Sequence, residues 1–159
     1  MFELSCHCGE IRIALPRPPD IIHACNCSLC SKAGADWGYY DPTEVSVTGQ
    51  GAAYVRPDRE DPGAAIHFCR TCGSTTHFTL TPAAVARFGD RVLGVNMRLA
   101  EPGALAGVEL RFPDGRAWSG QGPFTYVRPP EILGASRPDK PCKGGPSAGS
   151  GQSPPDGVD

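Results

Sequence analysis

His23-Ala24-Cys25-Asn26-Cys27-Ser28-Leu29-Cys30 places three thiols within six residues of backbone. A structural zinc is usually closed by four protein ligands, whereas a catalytic zinc keeps three and leaves the fourth tetrahedral position for water or substrate. Two flanking pairs, Cys6-His7-Cys8-Gly9 upstream and Cys69-Arg70-Thr71-Cys72-Gly73 downstream, supply four further thiols. These counts imply one closed zinc held by Cys6, Cys8, Cys69 and Cys72, and one open zinc held by Cys25, Cys27 and Cys30. The fold must then bring two segments some sixty residues apart to a single metal.

Eight cysteines can also build a disulfide framework, as they do in short secreted domains. Close C-x-C and C-x-x-C pairs converge sulfurs on a point, while stabilising disulfides close longer loops, so metal binding is the better reading. Two rivals stay open for the middle cluster. His23, His67 or His77 can supply a fourth ligand and make a second inert site, and three thiolates can also hold iron and sulfide.

A chain of 159 residues has the size of one domain and can bury a real core, so metal need not be its only source of stability. Net charge is −2 and the fifteen Lys and Arg residues form no basic run. That gives no electrostatic footprint for nucleic acid or an anionic membrane surface. The opening Met1-Phe2-Glu3-Leu4-Ser5 has no charged leader before an apolar core, and no stretch reaches membrane-span length. The expectation is a cytoplasmic protein.

Short strands are predicted at Phe2 to Ser5 and Ile11 to Leu15, joined by the first cysteine turn, with a third at Ile21 to Ala24. Ser28 to Ala33 reads as a short helix ended by Gly34. Trp37-Gly38-Tyr39-Tyr40 is an aromatic strand, and Asp41-Pro42-Thr43-Glu44 has the cap and proline of a single helical turn. Strands follow at Val45 to Thr48, Ala52 to Val55, Ala65 to Phe68 and Thr75 to Leu80, the last two flanking the downstream cysteine pair. Thr81 to Gly89 carries its own cap, first-turn proline and terminal glycine. Arg91 to Met97 and Val108 to Phe112 are further strands, and the Pro113-Asp114-Gly115-Arg116 turn leads to an aromatic stretch with Trp118, Phe124 and Tyr126. From Gly134 onward, fifteen of twenty-six residues are Gly, Pro or Ser. The expected organisation is therefore a zinc-binding domain over 1–133 and a disordered tail over 134–159, with Cys142 a free thiol inside that tail.

Other polar and aromatic residues have plain roles available. Each of His7, His23, His67 and His77 reads as a packed or solvated side chain. Trp37, Tyr39, Tyr40 and Trp118 read as core rather than pocket lining, Asn96 as a backbone-satisfying residue, and Arg56 to Gly63 as a solvated loop.

With C-H-C-G, then C-N-C-S-L-C, then F-C-R-T-C-G in that order, followed by Gly94-Val95-Asn96-Met97, the chain resembles the glutathione-dependent formaldehyde-activating enzyme family from about Leu4 to Phe124. The resemblance implies a mainly β fold of the Mss4-like, or β-tent, kind: antiparallel sheets with short helices, stapled by zinc. It implies two Zn²⁺ per chain, with Cys6, Cys8, Cys69 and Cys72 matching the structural ligands and Cys25, Cys27 and Cys30 the catalytic ones. The implied reaction joins formaldehyde to the thiol of glutathione and is classed as a carbon–sulfur lyase in reverse. Asn26 stands where the family commonly has His, and Asp36 adds a charge just beyond the cluster. No glutathione-binding residue is matched one by one. Related Mss4-like domains act through protein contacts, so a non-catalytic, zinc-stapled binding module is the competing class, and thiol redox chemistry lacks the βαβ setting it needs.

Overall fold

The computed structural model describes residues 1–101 and 103–134; the predicted tail beyond Gly134, with Cys142, lies outside them. Eleven strands and two short α-helices follow one another along these residues. In chain order they are β1 Phe2–Ser5, β2 Arg12–Leu15, β3 Ile21–His23, α1 Ser28–Ala33, β4 Trp37–Tyr40, β5 Ser46–Thr48, β6 Gly51–Val55, β7 Ala64–Cys69, β8 Thr75–Leu80, α2 Pro82–Phe88, β9 Leu93–Asn96, β10 Glu109–Arg111 and β11 Glu131–Ile132. This is the mainly β, short-helix architecture expected. No helix among the described residues is long and apolar enough to cross a membrane.

The strands form two sheets. A small one has the order β1-β2-β5, and a large one runs β11-β10-β3-β4-β9-β8-β7-β6. All pairs in both are antiparallel except β3 with β10, which run parallel. That pairing brings β10 alongside the segment that enters the three-cysteine cluster. The predicted strand Arg91 to Met97 is shorter than expected, because Asn96 caps a 3₁₀ turn over Met97–Leu99. The aromatic stretch after Gly115 makes no strand; Pro113 and Tyr126 meet in one isolated bridge.

Alternation along the strands separates two faces. Leu4, Ile13 and Leu15 of the small sheet pack against Ile22, Tyr40, Leu93 and Val95 of the large one and Met97 of the 3₁₀ turn, making the main core. On the other face, a row of cross-strand neighbours runs Tyr39, Gly94, Phe78, Ile66, Tyr54 across five strands. Gly94 is required in this row, since a Cβ there would overlap the Phe78 ring. The space lets Phe78 meet Trp37 edge-to-face at 5.0 Å between centroids. Helix α1 lies on this face, with Leu29, Cys30 and Ala33 against Ala35, Trp37 and Ile66.

Candidate metal centres

Two groups of cysteine sulfurs converge, Cys6, Cys8, Cys69 and Cys72 in one and Cys25, Cys27 and Cys30 in the other, with the sulfurs of each group within 4.8 Å of one another. No fourth His, Cys, Asp or Glu joins the second group among the described residues. His23, His67 and His77 are thus not brought to it as ligands.

The four-sulfur group is built on two hairpin turns. Gly9 and Gly73, each following a cysteine, have φ of 77° and 74°, a left-handed conformation that lets each turn fold back on its sulfur pair. Cys6 and Cys69 are fully buried, and Cys8 Sγ lies 3.6 Å from both Cys6 Sγ and Cys69 Sγ. Zinc–sulfur bonds of about 2.3 Å in a tetrahedron put sulfurs about 3.8 Å apart, so this spacing fits Zn²⁺. The Ile11 amide donates to Cys6 Sγ at 3.2 Å. Cys72 is held down to about 5 by the Ser74 hydroxyl and then the Ser74 amide, both of which favour its thiolate.

The three-sulfur group sits at the start of α1. Cys27 is the N-cap residue, and its Sγ accepts from the Cys30 amide. Cys25 Sγ accepts from the Cys27 amide at 3.5 Å, and Cys30 Sγ from the Trp37 indole N–H at 3.3 Å. Each sulfur therefore has one N–H directed at it, the arrangement that supports negative charge on sulfur. Hydrogen bonds from the Cys25 and Cys30 thiols hold Cys27 down to about 2, while Cys25 and Cys27 push Cys30 up. A divalent cation held by the three sulfurs would draw out their remaining protons.

A second segment covers this group. Asn26 donates from Nδ2 to Asp114 Oδ1 at 2.8 Å and accepts from the Arg116 amide at 2.9 Å. These bonds seat the Pro113-Asp114-Gly115-Arg116 turn on the cluster so closely that a Cβ at Gly115 would overlap Cys25 Sγ. The turn was legible in the sequence, but nothing there tied it to the thiols. Asn26, noted only as a departure from the family pattern, is what anchors it.

Beside the cover, His23 is buried at 8 % exposure, with Nδ1 3.1 Å from the Tyr39 hydroxyl. Its Nε2 has no hydrogen-bond partner among the described residues, and Phe124 and Tyr126 present their rings to it at near right angles. Burial, then the Arg111 charge, lowers the His23 pKa. Tyr39 is pushed up by burial and then by the negative charge of the nearby cysteines, so its hydroxyl keeps its proton.

The remaining candidates sort cleanly. Trp37 and Tyr40 are core, as expected, but Trp118 is 41 % exposed because the segment carrying it lies over the site rather than in a sheet. Asn96 serves the backbone: Oδ1 accepts from the Asp36 and Arg98 amides, and Nδ2 donates to the Thr75 carbonyl. Asp36 is paired with Arg98 at 2.8 Å. His67 and His77 stack at 4.2 Å on the β7–β8 hairpin. His7 is exposed.

The chain is thus a mainly β scaffold that gathers two groups of thiols, each able to hold a metal ion. A family model described as glutathione-dependent formaldehyde-activating enzyme matches residues 1–94, which include all seven clustered cysteines, and the chain belongs to that family. A solved structure of a Rhodobacter sphaeroides protein is similar at 28% identity and a TM-score of 0.50, over 63% of this chain and 88% of that one. No functionally curated protein matches the chain. The covering turn and the aromatic segment after it lie beyond the matched residues.

Proposed function

We propose that the protein is a zinc-dependent, carbon–sulfur lyase-type enzyme that joins a thiol, glutathione, to formaldehyde. Cys6, Cys8, Cys69 and Cys72 would hold a structural Zn²⁺, and Cys25, Cys27 and Cys30 a catalytic one. The observation that carries this reading is the three-sulfur cluster with no fourth protein donor among the described residues, beside a second cluster that has all four. Zn²⁺ held by three thiolates supplies acidity to a bound thiol and keeps the resulting thiolate beside a carbonyl carbon.

The chain's own residues set the conditions for that chemistry. The Cys27 and Cys30 amides and the Trp37 indole orient the three sulfurs and favour negative charge on them. Asn26 holds the covering turn, and the rings of Phe124 and Tyr126 close the side next to His23. In the reaction the thiol S–H bond breaks, a C–S bond forms to the aldehyde carbon, and the carbonyl oxygen gains a proton. Protons therefore balance without any redox partner.

The test is the rate of S-hydroxymethylglutathione formation by the zinc-loaded chain, corrected for the spontaneous reaction. Acceleration that disappears in Cys27→Ser is expected. A fully zinc-loaded protein that leaves the spontaneous rate unchanged would overturn the proposal.

A further inference from the structure

A groove of about 490 Å³ runs along α1, walled by Ser28, Leu29 and Lys32 of the helix and by Tyr54, Ile66 and Phe68 of β6 and β7. Its size is that of a small-molecule site. The groove begins at Ser28, the residue directly after Cys27, and Lys32 stands one helical turn further on. The Thr75 hydroxyl donates to the Ala33 carbonyl at 2.8 Å, tying β8 to the end of α1 and fixing the floor.

The charge in the groove is unbalanced. Arg56 is clamped by Asp58 through Nε at 2.9 Å and a terminal nitrogen at 2.6 Å, which positions the guanidinium while leaving other N–H groups unused. Arg56 and Asp58 line the same groove as Ser28 and Lys32. Lys32 is exposed and takes part in none of the ion pairs among the described residues. Two cations thus face one carboxylate that is already spent on Arg56. From Cys27 to Lys32 the helix rises about 7.5 Å, a distance that two to three residues of extended peptide span.

We propose that this groove receives the body of the thiol substrate, with Lys32 and Arg56 binding carboxylates of a short anionic peptide thiol whose sulfur reaches the three-cysteine cluster. This rests on the function proposed above and adds the residues that select the thiol. Leu29, Tyr54 and Phe68 contact the ligand's apolar atoms, and the two cations set its direction. Small neutral thiols can reach the sulfurs but gain nothing from the groove.

The experiment uses the zinc-loaded full chain and two probes. S-methylglutathione, which has no free thiol, is titrated while backbone amide resonances are followed. Shifts centred on Lys32, Tyr54, Phe68 and Thr75 are expected, with affinity at least about tenfold weaker in Lys32→Glu and in Arg56→Glu. In parallel, the ratio of kcat/KM for glutathione to that for 2-mercaptoethanol should fall about tenfold in the same variants. Thermal midpoints establish that both variants are folded. If S-methylglutathione shifts no groove amides, or binds both variants as it binds the parent, the assignment is overturned even where catalysis is present. Groove binding lost in both variants, in a chain that accelerates no thiol–aldehyde reaction, would uphold the site and sink the enzymatic reading instead.

Discussion

The two sulfur clusters use the same side chain and differ in how the chain reaches them. In the four-sulfur cluster, the turn after β1 meets the turn after β7, and each sulfur pair contributes half of a closed site. In the three-sulfur cluster, all three sulfurs come from one short segment, and the parts that meet it from elsewhere, Trp37 and the Gly115 turn, bring no fourth candidate ligand among the described residues. A long-range cluster restrains the unfolded chain and so acts on stability, whereas a local one costs little chain entropy and is free to serve chemistry. Cys6 and Cys69 are at most 1 % exposed, while none of Cys25, Cys27 and Cys30 is fully buried.

The strongest way to break this contrast is to remove one sulfur from each cluster. Cys69→Ser should cost several kcal/mol or abolish folding, because it opens the link between two distant hairpins and leaves three thiolates without their cation. Cys27→Ser should keep the circular dichroism spectrum of the parent and lose one zinc. Chelator titration of the parent should release two zinc ions in separate steps, the first of which is missing in Cys27→Ser. Equal unfolding of both variants would mean that the middle cluster is a second staple.

Gly115→Val tests the cover. The added side chain cannot fit against Cys25, so the turn must lift, at a cost of up to about 3 kcal/mol. The expected result is a folded protein that releases its more labile zinc faster, read by a chromogenic chelator. A variant with unchanged release kinetics would show that the turn does not seal the cluster.

Acid should loosen the β7–β8 hairpin that carries His77. Burial, followed by the His67 charge, lowers His77 to about 4 from an ordinary 6.5, so the unfolded chain binds the proton more readily than the folded one. The stability due to neutral His77 is complete above pH 6.5 and is lost as pH falls toward 4. Between pH 7 and 5 this amounts to about 2 kcal/mol. Urea midpoints at saturating zinc should fall over that range, and His77→Gln should flatten the slope; a slope unaffected by the substitution would assign the acid sensitivity elsewhere.

The smallest effect concerns Asn26. Replacing it by Ala removes both hydrogen bonds to the covering turn, worth about 1 kcal/mol, and should raise amide exchange at Arg116 without altering exchange in β7 and β8. Faster exchange in β7 and β8 as well would show that the two clusters are coupled.

Much of this architecture is written locally. Close cysteine spacing identifies the thiols that share a metal-sized space, because Cβ atoms two or three residues apart at a turn have few other places to send their sulfurs. Thr81, Pro82 and Gly89 mark the ends of α2, and Asp41 caps its 3₁₀ turn, since caps and prolines act on their own neighbours. Strand alternation separates the core face of β2 from its solvent face.

What the tertiary structure alone decided depends on pairs distant in sequence. The parallel β3–β10 pairing, the seating of Gly115 on Cys25, the Asn26–Asp114 bond and the groove between α1 and β6–β7 each join segments that carry no mark of one another. Asn26 looks like any polar residue in a turn, and Arg56 and Asp58 look like solvated loop until the hairpin beside α1 is in place. That no fourth protein donor among the described residues reaches the middle cluster is the same kind of fact. Ligand identity follows from side-chain chemistry over a few residues, but openness and selectivity follow from which other segments the folded chain brings near, and no local pattern encodes that.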